Sequence, residues 1–149
     1  MLYFAYGSNM SINHLLKYCK CKDFNIVDTG YINNYIFKYR SIIGHKKTGV
    51  GNIEKRKGSK VFGVVIKINE YAKKRINIKE GMKHGIYNIE HVIIHSNTSD
   101  KSYRCFAYIM NKDKRGDEKP PTKKYKKIVM DGAINNNLPL KHIKRLNYF

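Results

Sequence analysis

The chain opens with Leu2-Tyr3-Phe4-Ala5-Tyr6-Gly7-Ser8-Asn9-Met10, and most of what can be read from the sequence depends on this stretch. Leu2 to Tyr6 is a short aromatic run with strand character. It stops at Gly7-Ser8-Asn9, residues that turn sharply and leave backbone N–H groups free. Ser11 is placed to cap a helix whose apolar face is Ile12-Leu15-Leu16-Cys19, predicted over about Ser11 to Lys20. Strand, glycine-containing turn and helix together aim unpaired N–H groups and a helix dipole at one spot. Such a spot suits a carboxylate or a developing oxyanion. The same pattern also describes a plain core strand with an ordinary turn.

Around this stretch lie 149 residues, expected to form one domain over 1–149 with a core of its own. No apolar run approaches a membrane span, and the first residues lack the build of a secretory signal. A cytoplasmic location with no membrane partner is expected. Cys19, Cys21 and Cys105 have neither disulfide nor zinc spacing. Neither a metal site nor a cofactor is expected, since phosphate-loop motifs are missing too. The net charge of +19 is mostly lysine in a chain also rich in Ile, Asn and Tyr. That bias is what A/T-rich codons encode, so no specific nucleic-acid partner is inferred from it. A catalytically silent basic binding module is the competing function.

Further along, residues 25–40 read as a long bent strand, with bends at Gly30 and Asn33-Asn34. Residues 41–59 read as a solvated loop, or as a pocket wall in which Gly49 and Gly51 allow close approach. Val61 to Ile68 is a buried strand. Asn69 caps a short helix over Glu70 to Ile76. Ile86 to His95 and Tyr103 to Met110 form a hairpin around the turn at residues 97–100. Lys112 to Pro121 is a charged loop. Thr122 caps a helix to Asn136 whose inward face is Tyr125, Ile128, Val129 and Ala133. Pro139 opens a last helix carrying Leu140, Ile143 and Leu146. The order predicts an α+β fold with a small curved or barrel-like mixed sheet and flanking helices.

The acids are few enough to weigh singly. Most lie in turns or beside lysines. Glu80 is the one carboxylate between a helix end and a glycine, ahead of a strand. It reads either as a solvated connector paired to Lys79 or Lys83 or as a catalytic group. His14 reads as a surface histidine.

Three stretches resemble the gamma-glutamylcyclotransferase family. They are Tyr3 to Met10; Val61 to Val65 running on to Glu80-Gly81 and Gly85-Ile86-Tyr87; and Pro120 to Ile128 through Gly132-Ala133 to Leu140. They follow one another in the family's order and span nearly the whole chain. The resemblance implies a barrel-like α+β fold and a cofactor-free cyclisation of a small gamma-glutamyl substrate to 5-oxoproline. It implies Glu80 as the acid/base. It implies Tyr3, Phe4, Ala5, Tyr6, Gly7, Ser8, Asn9 and Tyr125 as substrate-binding residues. It is compatible with a homodimer. An inward-facing cation beside Glu80 would favour its charged form, so Lys79 and Lys83 are expected to face solvent. The segment His45 to Gly51 departs from the family pattern and leaves the leaving group open.

Overall fold

The computed structural model describes residues 1–149. Strand β1 (Leu2–Ala5) lies between two partners. It runs antiparallel to β3 (Lys46–Ile68), with Leu2 opposite Lys67 and Ala5 opposite Val64. On its other side it runs parallel to β5 (Ser102–Met110), with Tyr3 opposite Phe106. β5 pairs antiparallel with β4 (Tyr87–Ser96), and β4 with β2 (Phe24–Ile42). β2 returns to β3, so five strands close into a mixed barrel. A short strand β6 (Arg115–Glu118) adds to β2 outside that ring. Closure pairs strand edges that would otherwise stay open.

The expected α+β barrel is therefore present, with two corrections. Residues 46–60 are not a loop but the first half of β3, paired with β2 at Lys46, from Val50 to Lys55 and at Lys60. Lysines and glycines make this stretch look unstructured, yet a long antiparallel partner overrides weak strand propensity. Residues 115–118, read as part of a charged loop, pair with β2. The bend expected near Asn33-Asn34 is a register shift between Asn33 and Tyr35, and Asn34 has φ 64°. The chain reverses between β2 and β3 at residues 43–45.

The helices carry the caps that the sequence signals. The Ser11 side chain accepts from the His14 N–H (3.3 Å), that of Asn69 from Ala72 (2.9 Å) and that of Thr122 from Tyr125 (3.1 Å). α1 (Ile12–Leu15) is shorter than expected. Leu15 and Cys19 are buried, whereas Ile12 and Leu16 face solvent. α2 (Glu70–Lys79) turns Ala72 and Ile76 into the core. α3 (Lys123–Asn135) buries Val129, Gly132 and Ala133. α4 (Leu140–Leu146) buries His142 and Leu146 and leaves Leu140 exposed. No helix is long and apolar enough to cross a membrane.

Two packing features position the site. Phe4, Val64 and Val65 are fully buried where β1 meets β3, each contributing about 1.5–3 kcal/mol by burial. Gly132 lets α3 touch the turn after β1: a Cβ there would sit 2.8 Å from the Met10 Cβ and 2.9 Å from the Ser11 nitrogen. Asn136 ties the same helix to the turn, its Nδ2 donating to the Met10 carbonyl (3.0 Å).

Candidate active site

β1 ends at Ala5, and Ser8 to Met10 form a single 3₁₀ turn. The turn leaves the Tyr6 and Gly7 N–H groups without an acceptor in the protein. Next to it lies a cleft of about 340 Å³, lined by Tyr3, Tyr6, Gly7, Ser8 and Asn9 from the first stretch. Facing them are Lys79 and Glu80 from the end of α2, Gly51 from β3, Tyr87 from β4, Tyr108 from β5 and Tyr125 from α3. Residues far apart in the chain thus meet at one end of the barrel.

Glu80 is held by the end of its helix. Its N–H donates to the Ile76 carbonyl (2.8 Å), and Gly81 then reverses the chain at φ 64°, a conformation that suits glycine. Ala72, Ile76 and Glu80 follow at four-residue spacing, so the carboxylate continues the buried stripe of the helix. Its Oε1 accepts from Asn9 Nδ2 (3.3 Å) and Lys79 Nζ (3.4 Å). Its Oε2 has no partner within the protein.

Lys79 departs from the expectation that it faces solvent. Its side chain is 14% exposed, and its ammonium donates to Asn9 Oδ1 (2.7 Å) and Ser8 Oγ (3.0 Å) as well as to Glu80. The ammonium also lies 5.4 Å from the centre of the Tyr18 ring. The signal for this was present: Lys79 is three residues beyond buried Ile76 and shares the inner face of the helix. Lys83 is exposed, as expected.

Phenols line the rest. Tyr3 stacks on Phe106 and its hydroxyl accepts from Asn9 Nδ2 (3.0 Å). The Tyr6 hydroxyl donates to the Tyr108 carbonyl. Both backbone groups of Gly51 are taken by phenols: its N–H donates to the Tyr125 oxygen (2.9 Å), and its carbonyl accepts from Tyr87 (2.6 Å). Tyr125 thus keeps its own proton available as a donor. Burial lifts the Tyr3, Tyr6 and Tyr87 hydroxyls well above their ordinary range, with the Glu80 charge adding to the effect. Burial pushes Tyr125 up to about 12, reinforced by Glu80 and opposed by the Gly51 bond. All four are neutral donors at physiological pH.

The sequence reading placed nearly all of its candidates here, with exceptions. Phe4 and Ala5 do not line the cleft; both are fully buried in the core behind it. His14, read as a surface histidine, borders the cleft beside Tyr18. Burial, helped by the nearby Lys79 charge, lowers His14 to about 4, so it is neutral near pH 7. Tyr18, Lys46 and Tyr108 also border the cleft without having been singled out. Lys46 lies 5.8 Å from the centre of the Tyr125 ring and has no acidic partner within 4 Å. No three His, Cys, Asp or Glu side chains converge so as to hold a metal ion.

A closed mixed barrel with a glycine turn and one carboxylate at its mouth defines a fold class with known members. Residues 60–146 match the model of the AIG2-like family, and the chain belongs to that family. It is 29% identical over 150 residues to the gamma-glutamylcyclotransferase of Bos taurus, covering 98% of this chain and 77% of that protein. It is 29% identical over 149 residues to the Homo sapiens enzyme of the same name, covering 97% and 76%. A solved gamma-glutamyl cyclotransferase superposes with a TM-score of 0.90 at 26% identity, covering 100% of this chain and 87% of that one. A solved Homo sapiens protein described as uncharacterized superposes at 0.87 with 28% identity, covering 99% and 86%.

Proposed function

We propose that the protein is a gamma-glutamylcyclotransferase. The α-amine of a gamma-glutamyl group attacks the γ-carbonyl carbon. A new C–N bond closes the five-membered ring, the original amide C–N bond breaks, and 5-oxoproline and a free amino acid or amine are released. The attacking nitrogen must lose a proton and the leaving nitrogen must gain one. One carboxylate between the two nitrogens can carry that proton across, so Glu80 is assigned as base and then acid. The observation that carries the reading is its half-engaged state: Oε1 is held by Asn9 and Lys79, while Oε2 is unclaimed in the cleft.

The other roles follow from the same geometry. The free N–H groups of Tyr6 and Gly7 suit the substrate carboxylate or the oxyanion of the tetrahedral intermediate. Tyr3, Ser8 and Asn9 shape the wall beside them, and Tyr125 offers a neutral hydroxyl from the opposite side. The names of the relatives support this chemistry and leave the leaving group open.

Incubation of the purified protein with gamma-glutamyl-alanine should release 5-oxoproline. Glu80→Gln keeps the shape and removes the shuttle, so it should lower kcat by about 10²–10⁴ while the protein folds and binds substrate. Near-normal turnover in that variant would remove Glu80 from the mechanism.

A further inference from the structure

We infer that Lys79 is a positioning residue that fixes which oxygen of Glu80 carries the proton, an assignment that rests on the cyclotransferase reading. An ammonium has three N–H donors and no acceptor. Lys79 directs them at three acceptors, Asn9 Oδ1 at 2.7 Å, Ser8 Oγ at 3.0 Å and Glu80 Oε1 at 3.4 Å. The three belong to the two segments that build the site, the turn after β1 and the end of α2.

The contact to Asn9 has a second effect. An amide side chain can point its oxygen or its nitrogen in a given direction, and its partners decide which. With Oδ1 accepting from the ammonium, Nδ2 must face the other way. There it donates to Tyr3 (3.0 Å) and to Glu80 Oε1 (3.3 Å). Lys79 thus engages Oε1 twice, once directly and once by orienting Asn9. A carboxylate held through one oxygen is fixed in rotation and presents the other oxygen in one direction. Oε2 is therefore the atom that takes and returns the proton.

The cation is poorly suited to a role in solvent or in substrate capture. Its side chain is mostly buried, its ammonium lies over the Tyr18 ring, and all of its donors are in use. Lys46, without an acidic partner on the far wall, is the cation left for an anionic substrate group.

Lys79→Met keeps the apolar stem and removes all three donors. We expect kcat to fall by about 10- to 100-fold, the scale of a catalytic group displaced by about 1 Å, with KM changed less than about threefold. The loss should be strongly non-additive with that of Asn9→Ala, because both act through Oε1. Ethylammonium should restore part of the activity of Lys79→Ala, a response that a merely structural lysine would not give. Relative to the wild-type spectrum, the Asn9 side-chain amide resonances should shift in Lys79→Met whether or not the enzyme turns over. If Lys79→Met does not fold, Lys79→Leu, which also lacks donors, is read against the same expectations. Wild-type kcat, a change confined to KM, additivity with Asn9→Ala, or unmoved Asn9 resonances would overturn the assignment. Wild-type protein that forms no 5-oxoproline would instead overturn the proposed function, and the Asn9 resonances would still test the contact.

Discussion

Glu54 and Glu80 are carboxylates in similar surroundings with opposite degrees of satisfaction. Each is mostly buried, with side chains 11% and 16% exposed, and each has a cation beside it. Both oxygens of Glu54 are occupied. Arg40 grips it in a fork at 2.9 and 3.0 Å, Asn52 donates to it at 3.1 Å, and Arg115 lies at 3.8 Å. Burial alone would raise the Glu54 pKa, but the bonds from Arg40 and Asn52 hold it below the ordinary value. Glu80 is gripped through one oxygen only. A saturated carboxylate has nothing left to offer a substrate, so it braces β2 against β3. A half-saturated one is oriented and still reactive. On the proposed mechanism, what separates a structural carboxylate from a reactive one is the number of lone pairs left over, more than burial or the presence of a cation.

That contrast can be broken. Glu80→Gln should abolish most turnover and change stability little. Glu54→Gln should do the reverse: kcat within about twofold of wild type, and a loss of about 1–3 kcal/mol in urea denaturation, because a charged acceptor for Arg40 is removed. A large fall in kcat for Glu54→Gln would void the comparison.

Acid provides a second test. Burial, and then the Arg145 charge, lowers His142 to about 4, and its Nε2 has no partner. The unfolded chain binds this proton near pH 6.5, the folded one only near 4. The unfolded state therefore gains protons first as pH falls, and stability should drop between about pH 6.5 and 4, by at most about 1.4 kcal/mol per pH unit for this residue. The stabilisation from Glu54 and Asp28, both held low by their hydrogen bonds, is present above the ordinary carboxylate range and is lost only below it. Denaturation curves at pH 7, 5.5 and 4.5 should show the first phase, and His142→Leu should remove its share of it. A flat stability profile between pH 7 and 4.5 would contradict the assignment.

Tyr125→Phe sits between the two classes of carboxylate. It leaves the Gly51 N–H without its acceptor and removes a donor from the cleft, so a loss of about 1 kcal/mol in stability should accompany weaker turnover or binding. Unchanged kinetics with lowered stability would make the phenol purely structural. The smallest effect belongs to a third carboxylate. Asp131 pairs with Lys127 at 2.7 Å, but the two side chains are 47% and 75% exposed. Asp131→Asn should leave activity unchanged and stability within about 0.5 kcal/mol.

Much of this was legible in the sequence because it is local. The caps at Ser11, Asn69 and Thr122, the hairpin of β4 and β5, and the turn after Tyr6 each depend on residues within a few positions. The nature of residues 46–60 was not legible, since only pairing with β2 makes that lysine-rich stretch a strand. Phe4 and Ala5 were assigned with their neighbours on the strength of one contiguous motif, although alternate strand residues point to opposite faces. Glu80 stood out by its isolation among the acids. Its distinction from Glu54 could not be read, because the bond count of each is fixed by residues far away in the chain. Lys79 was placed in solvent on the ground that an inward cation would favour the charged form of Glu80, while its position on the helix, three residues beyond Ile76, pointed inward.

The contact at Gly132 makes α3 a lever. The glycine backbone lies directly against the Met10 Cβ and the Met10–Ser11 peptide there, with no long side chain between to act as a spring, so the point where the helix meets the turn is stiff. Tyr125 lies two helical turns from that fulcrum, an arm of roughly 10 Å, and its hydroxyl is the other point at which the helix touches the site. A tilt of about 5° around Gly132 would move the phenol by about 1 Å, comparable to the tolerance of a catalytic hydrogen bond. The position of the Tyr125 hydroxyl in the cleft therefore follows the angle of one helix, and a single methyl group at position 132 would shift it from the far side of the turn.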